Sequence, residues 1–341
     1  MSARASVIPV FVPHWGCPHD CVFCNQRRIS GQREPATAET VQEAMRQAAA
    51  LPSGAKRQLA FYGGSFTAIP VEQQEALLGA AQPWLASGEL SSLRLSTRPD
   101  AVDMAVLERL RRYGVRTIEL GAQSMDDRVL ALAGRGHTAA DVERAARLVK
   151  DEGFELILQM MTGLPGDTEE GALATADRLL ALRPDGVRLY PTVIVRDTAL
   201  CELWKAGRYT EHTVEDAVRV CAKLLPRFEA AGVPVIRLGL NPTEELSGGE
   251  AAGGAYHPAL GELVKSRVMY EKMRVLLAEL RPGSRAVLGA AERSLSQAIG
   301  QKKENLRLLR DEFALTELKV VPALVKEGEI VLLSVENGGE I

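Results

Sequence analysis

The sequence is short of cysteine, of long apolar runs and of any surplus of charge, and each shortage excludes a class of protein. Five cysteines in 341 residues are too few for a disulfide framework. No apolar run approaches the roughly 20 residues of a membrane-spanning helix, so no membrane partner is expected. The balance of 41 basic against 44 acidic residues gives a net charge of −3, so no global field draws the chain to nucleic acid. A charged fraction of 25% with 46% apolar residues argues against disorder and supplies enough material for a sizeable core. The apolar stretch 7–13 follows Arg4 as a leader peptide would. Pro9 and Pro13 punctuate it, however, and no small-residue cleavage site follows. Read instead as a first strand, it predicts a cytoplasmic protein.

What is present is a rhythm. Short β-branched or apolar runs occur at 7–12, 57–62, 92–97, 115–120, 155–161, 186–190 and 233–238. Helix-period segments lie between them. Val102, Val106 and Leu110 mark one helix face, Val142, Ala145 and Val149 another, and Val218, Cys221, Leu225 and Phe228 a third. Alternation of this kind implies parallel strands joined by crossover helices. An open doubly wound sheet and a (β/α) barrel both satisfy it. The pattern is read as an α/β fold: a partial (β/α) barrel of parallel strands over residues 1–245. A Gly-rich linker follows at 246–254, then a small α+β C-terminal extension at 255–341. Within the extension, helices are expected at 260–280 and 292–312 and strands at 315–321 and 330–334.

In both architectures chemistry collects on loops at the C-terminal ends of strands. The unusual segments fall there. Cys17, Cys21 and Cys24 follow the first run, in Cys17-Pro-His-Asp-Cys21-Val-Phe-Cys24. A loop of this length can turn three thiolates toward one centre. A cubane cluster has four irons and usually takes four cysteines, so three ligands leave one iron open to a cofactor or substrate. A structural zinc site with His14 or His19 as fourth ligand stays open on spacing alone. Cys201 and Cys221 lie among apolar residues and read as core.

Gly63, Gly64 and Ser65 follow the second run, where bare backbone can approach a ligand. Gln123 and Ser124 end the fourth, with an amide and a hydroxyl placed for a ribose or a substrate, or for capping the strand end. Gln159 is a lone amide in an apolar strand and needs partners, either at a barrel mouth or on backbone. Gly163-Leu-Pro-Gly166 is a turn, and Asp167 or Thr168 is placed to cap the next helix. Lys302, Lys303, Arg307 and Arg310 are interleaved with acidic residues and read as a solvated helix face rather than a phosphate site. His137 and His257 carry no assigned role.

The cysteine spacing, with aromatic Phe23 before the last thiol, resembles the signature of the radical S-adenosylmethionine superfamily. The resemblance implies a [4Fe–4S] cluster held by Cys17, Cys21 and Cys24, with S-adenosyl-L-methionine chelating the open iron. It implies reductive cleavage to a 5′-deoxyadenosyl radical that abstracts hydrogen from a substrate. A low-potential electron donor of the flavodoxin or ferredoxin type follows from that chemistry. Gly63 and Gly64 resemble the superfamily's glycine motif, whose backbone meets the methionyl amino group; the usual final acidic residue is absent, so Ser65 or backbone must serve. Phe23, Thr97, Gln123, Ser124 and Gln159 complete the expected cofactor-contacting set.

Longer stretches resemble the radical domain of the Elongator catalytic subunit, which modifies wobble uridine in tRNA. They are Tyr62-Gly-Gly-Ser-Phe66, Thr97-Arg-Pro-Asp100, Glu119–Ser124, Arg135-Gly-His-Thr138, Arg183-Pro-Asp-Gly186, and the run from Leu189 through Arg196 to Tyr209. The resemblance covers about residues 8–240. It implies that Tyr190 and Arg196 face substrate, and that a tRNA or nucleoside is the substrate class. The chain departs from that family in its shorter cysteine spacing and in lacking a basic N-terminal region and an acetyl-coenzyme-A glycine loop. An enzyme resembling oxygen-independent coproporphyrinogen oxidase and a cluster or haem chaperone without catalysis remain the alternatives.

Overall fold

The computed structural model describes residues 6–12, 17, 20–25, 34–50, 56–244 and 246–337. His14 and His19 lie outside them. The seven apolar runs are strands: β1 (Ser6–Phe11), β2 (Arg57–Tyr62), β3 (Leu90–Thr97), β4 (Val115–Gln123), β5 (Glu155–Thr162), β6 (Gly186–Pro191) and, after a short β7 (Val193–Val195), β8 (Val235–Leu238). All seven pair in parallel, in the order β1-β2-β3-β4-β5-β6-β8. The sheet curls into a half-barrel with β1 and β8 as its two edges.

Each strand carries two chemically different faces because successive side chains point to opposite sides. On β4, Ile118, Leu120 and Ala122 are buried, while Glu119, Gly121 and Gln123 line a cavity. On β5, Leu156, Leu158 and Met160 are buried and Glu155, Ile157, Gln159 and Met161 line it. The inner face is therefore largely polar. The apolar face of the sheet meets the crossover helices, whose starts are set locally. Thr138 and Thr213 each form a capping box, with Asp141 and Asp216 respectively, and Thr168 caps its helix by accepting from Gly171 N at 3.0 Å. Of the expected helix faces, Val142, Ala145 and Val149 are fully buried, whereas Val102 lies before its helix, which starts at Met104, and Val218 is only half-buried.

Two compact units divide the chain: residues 1–217 with 227–258, and residues 218–226 with 259–341. In the second unit the helix Leu260–Leu277 accompanies a small sheet in which β10 (Arg285–Ala290) runs parallel to β11 (Glu317–Pro322) and antiparallel to β12 (Ile330–Glu336). Met269, Met273, Leu277, Leu288, Leu309 and Leu318 form its core.

Two expectations change. The helix expected over 292–312 is broken: Leu295–Ile299 and Glu304–Glu312 are separate. Gly300 sits at φ +76° between them, and a Cβ there would lie 2.9 Å from the Asn305 side chain. Lys302, Lys303, Arg307 and Arg310 are all exposed, as a solvated face requires. The Gly-rich stretch 246–254, expected as a linker, contains strand β9 (Ala251–Gly254), antiparallel to β7. Small residues there permit close approach. A Cβ on Gly254 would stand 2.7 Å from the Thr192 carbonyl oxygen, and its φ of +80° is left-handed. Gly254→Ala is therefore expected to cost about 1–3 kcal/mol of stability in urea denaturation. A fully flexible linker would tolerate the change without loss.

Candidate active site

The mouth of the half-barrel is built around the cysteine loop. Cys17, Cys21, Cys24 and Phe23 line one cavity of about 970 Å³ together with Gly63, Gly64, Ser65, Thr97, Gln123, Gln159 and Tyr190. The loop is pinned by backbone: Cys24 N donates to Cys21 O at 3.0 Å, Val22 N to Ala133 O at 3.1 Å and Leu200 N to Val22 O at 2.7 Å. Val22 and Phe23 wedge between two apolar groups, Val129, Ala133, Met161 and Leu164 on one side and Ile194, Leu200, Cys201 and Tyr209 on the other.

Arg135 connects this loop to the sheet. Its Nη1 donates to Cys21 Sγ at 3.2 Å and its Nη2 to Gly121 O at 2.8 Å. Arg98, at the end of β3, donates to the Arg135 carbonyl oxygen and pairs with Asp100 at 3.0 Å. Thr97 Oγ1 lies 2.6 Å from Thr67 Oγ1. Gln123 adopts φ +66°, uncommon for a residue with a side chain, and its buried Oε1 has no hydrogen-bond partner. Nearby His137 is 4% exposed, with Nε2 at 3.3 Å from Ala122 O. Burial, reinforced by the Arg135 charge, lowers its pKa from 6.5 to about 4.

Below the mouth lies a charged floor. Glu119 is fully buried. Its carboxylate accepts from Tyr62 OH at 2.7 Å, Gln159 Nε2 at 3.1 Å, and Arg188 Nε and Nη2 at 2.7 and 3.0 Å. Arg94 Nη1 approaches it at 3.4 Å. These partners stand on β2, β3, β5 and β6, so one carboxylate on β4 ties five adjacent strands. Burial raises the pKa of Tyr62 and of Tyr190, keeping both phenols protonated. Arg188 Nη1 donates to Tyr190 OH at 3.5 Å.

The donor set fits a cluster and an amino-acid-bearing cofactor. Three thiols line the cavity, a guanidinium supports one of them, bare glycine backbone stands nearby, and Gln123, which also lines it, has a buried amide oxygen without a partner. Among the described residues no three His, Cys, Asp or Glu side chains stand close enough to hold a single metal ion. A cubane carries each thiolate on a separate iron, so its ligands need not meet at one point.

Two expected site residues are not brought to the cavity. Ser124 is buried behind it: its Oγ accepts from Asp126 N at 3.1 Å and lies 3.5 Å from Thr175 Oγ1, which caps the strand end. Arg196 is exposed, and its Nε is held by the Gly249 carbonyl oxygen at 2.7 Å, because the β7–β9 pairing carries it away from the mouth. Gln159 does face inward, and Glu119 rather than backbone satisfies it. Sequence reading gave no role to Arg94, Glu119, Arg135 or Arg188. For Arg94, Glu119 and Arg188 the available signal was a charge inside an apolar strand; Arg135 stands in a loop and carried no such signal.

A parallel half-barrel with a three-thiol loop at its mouth defines a barrel enzyme that keeps a thiolate-bound cofactor at the C-terminal ends of its strands. The chain belongs to the radical SAM superfamily: residues 12–179 match the Radical SAM superfamily model and residues 184–270 match the Radical_SAM C-terminal domain. Its cofactors are accordingly a [4Fe–4S] cluster and S-adenosylmethionine. It is 33% identical to human Elongator complex protein 3 over 184 residues, which is 48% of this chain and 34% of that protein. It is 38% identical to the tRNA uridine(34) acetyltransferase of Dehalococcoides mccartyi over 123 residues, 35% of this chain and 27% of the relative. The chain thus spans about a third of the length of these relatives. The structure of Methanocaldococcus infernus Elp3 lacking its N-terminus shares the fold, with a TM-score of 0.63 at 22% identity over 80% of this chain and 64% of that one. No helix among the described residues is long and apolar enough to cross a membrane.

Removing the shared carboxylate leaves two guanidinium groups buried without a counter-charge. Glu119→Ala is expected to lose about 3–5 kcal/mol in chemical denaturation, with Glu119→Gln less severe. His137 gives a pH signature. Its folded pKa lies below the unfolded value, so the unfolded chain binds the extra proton between about pH 6.5 and 4 and stability falls as pH drops through that window. The difference in unfolding free energy between the wild type and His137→Gln should shrink across this window as pH falls, and stay level above pH 7.

Proposed function

We propose that this enzyme carries out its radical reaction on a nucleoside of tRNA, with Cys17, Cys21 and Cys24 holding the cluster. The observation that carries the site assignment is the gathering of three thiols, the Gly63–Gly64 backbone and the orphaned Gln123 amide around one cavity. When bound, the cluster and S-adenosylmethionine supply reductive carbon–sulfur cleavage and a carbon radical for hydrogen abstraction.

The chain's own residues arrange that chemistry. Arg135 ties Cys21 Sγ to the Gly121 carbonyl and so fixes the loop against the sheet. Gly63, Gly64 and Ser65 would hold the methionyl amino group, and Thr97 and Gln123 would offer hydroxyl and amide groups to the nucleoside part. Phe23 closes the loop against the barrel wall and excludes water. Gln159 stands deeper, and Tyr190, which packs against the same apolar group as Phe23, faces substrate. A flavodoxin- or ferredoxin-type donor delivers the electron.

The substrate class is supported by the likeness to a tRNA uridine(34) acetyltransferase and to the Elongator subunit, both over the radical portion alone. Anaerobically reconstituted protein with a strong reductant should form 5′-deoxyadenosine from S-adenosylmethionine, read by chromatography, and Cys21→Ala should abolish both iron binding and cleavage. Cleavage that persists in Cys21→Ala would remove the ligand assignment. Nucleoside profiles of tRNA from cells with and without the protein should differ at one modified base, and identical profiles would remove the RNA substrate.

A further inference from the structure

The floor of the cavity holds more positive charge than its own acid neutralises. Arg94, Arg188 and Arg237 all line it. Glu119 is shared by Arg188, at 2.7 Å, and Arg94, at 3.4 Å. Arg188 and Arg237 are register partners on the adjacent strands β6 and β8, so two like charges stand side by side. Arg237 reaches only neutral acceptors: its Nε donates to Gly239 O and its Nη2 to Leu240 O, both at 3.1 Å. Arg94 is 9% exposed, and its buried Nε has no hydrogen-bond partner.

Two further carboxylates on the cavity lining, Glu155 and Asp185, are exposed and do not supply the missing charge. Glu155 accepts from Thr117 Oγ1 at 2.6 Å, and Asp185 is paired with Lys150 at 2.8 Å. Both lie toward the N-terminal ends of the strands, away from the mouth. Desolvation pushes the Arg237 pKa down, opposed in part by Tyr190 and reinforced by repulsion from Arg188. The forked donors of a guanidinium match the planar oxygens of carboxylate and phosphate.

We infer that Arg94 and Arg237, flanking the Glu119–Arg188 pair, form an anion subsite on the barrel floor that takes a phosphate or carboxylate group of the substrate. Glu119 holds Arg188 in place between them, so the subsite keeps its shape before ligand arrives. One cavity holds both this subsite and the thiol mouth, so a substrate with its anion here can present its reacting carbon toward the mouth. Naming the ligand as substrate rests on the proposed radical reaction; the subsite itself rests on the arginines.

The test is anaerobic calorimetric titration of the full-length, cluster-loaded protein with inorganic phosphate and, separately, with acetate. Saturable binding of at least one is expected, and the one that binds names the anion. Arg94→Gln and Arg237→Gln should each weaken it at least tenfold, while Arg147→Gln, on an exposed helix, leaves it unchanged. Circular dichroism checks that each variant is folded, and Arg237→Gln alone carries the test if Arg94→Gln is not. Three results would overturn the inference: no saturable binding, binding that survives both substitutions, or competitive displacement of the probe by S-adenosylmethionine, which would assign the subsite to the cofactor. Failure here leaves 5′-deoxyadenosine formation intact, and failure of that assay leaves the anion titration intact.

Discussion

The Glu119 carboxylate is the interaction on which the interior of this barrel depends. A half-barrel of parallel strands has two faces to satisfy. Helices cover the outer one with apolar contacts, which need no special pairing. The inner face carries Tyr62, Arg94, Gln159 and Arg188, whose polar ends would be stranded in a concave space without a shared partner. One fully buried carboxylate at the centre of the sheet accepts from three of them and pairs with the fourth, so five strands are joined across their side chains as well as along their ladders. In a low-dielectric interior such a network is favourable only when its members are satisfied. Arg94 is the member left incomplete, with its buried Nε lacking a partner.

A second chain of contacts runs from the sheet to the thiols. Asp100 orients Arg98, Arg98 holds the carbonyl of Arg135, and Arg135 reaches Cys21. The cysteine loop is therefore set by residues on the loops after β3 and β4 as well as by its own short sequence. The wedge of Val22 and Phe23 adds packing to this electrostatic tether. The site has two storeys: a thiol mouth braced by guanidinium groups, and a charged floor fixed by Glu119. A radical enzyme needs both, because its reactive species must meet only the intended carbon.

Much of this was legible in the residues. The Cys17, Cys21 and Cys24 spacing pointed to a cluster with an open iron, and Gly63, Gly64, Thr97 and Gln123 fell at strand ends where a barrel collects chemistry. The strand runs needed little adjustment, since apolar period-two segments between capped helices have few other solutions. Ser124 and Arg196 were misplaced for a local reason. A strand end offers several directions, and hydrogen bonds to Asp126 and Gly249 chose them. The β7–β9 pair escaped notice because Ala251-Ala-Gly-Gly254 has the composition of a linker, and only its partner strand makes it a strand.

The sequence by itself determined the element order, the parallel connections and the three-thiol loop, because periodicity, capping and spacing are local properties. It could not decide what the polar face of each strand meets. Alternation reads the same whether that face is bathed in solvent or turned into a cavity. Curling of the sheet decided it, bringing Tyr62, Arg94, Glu119, Gln159 and Arg188 from five strands to one point. Curling also put Arg135 against Cys21 across 114 positions of sequence. A charge in an apolar strand says only that a partner must exist; tertiary structure alone says which.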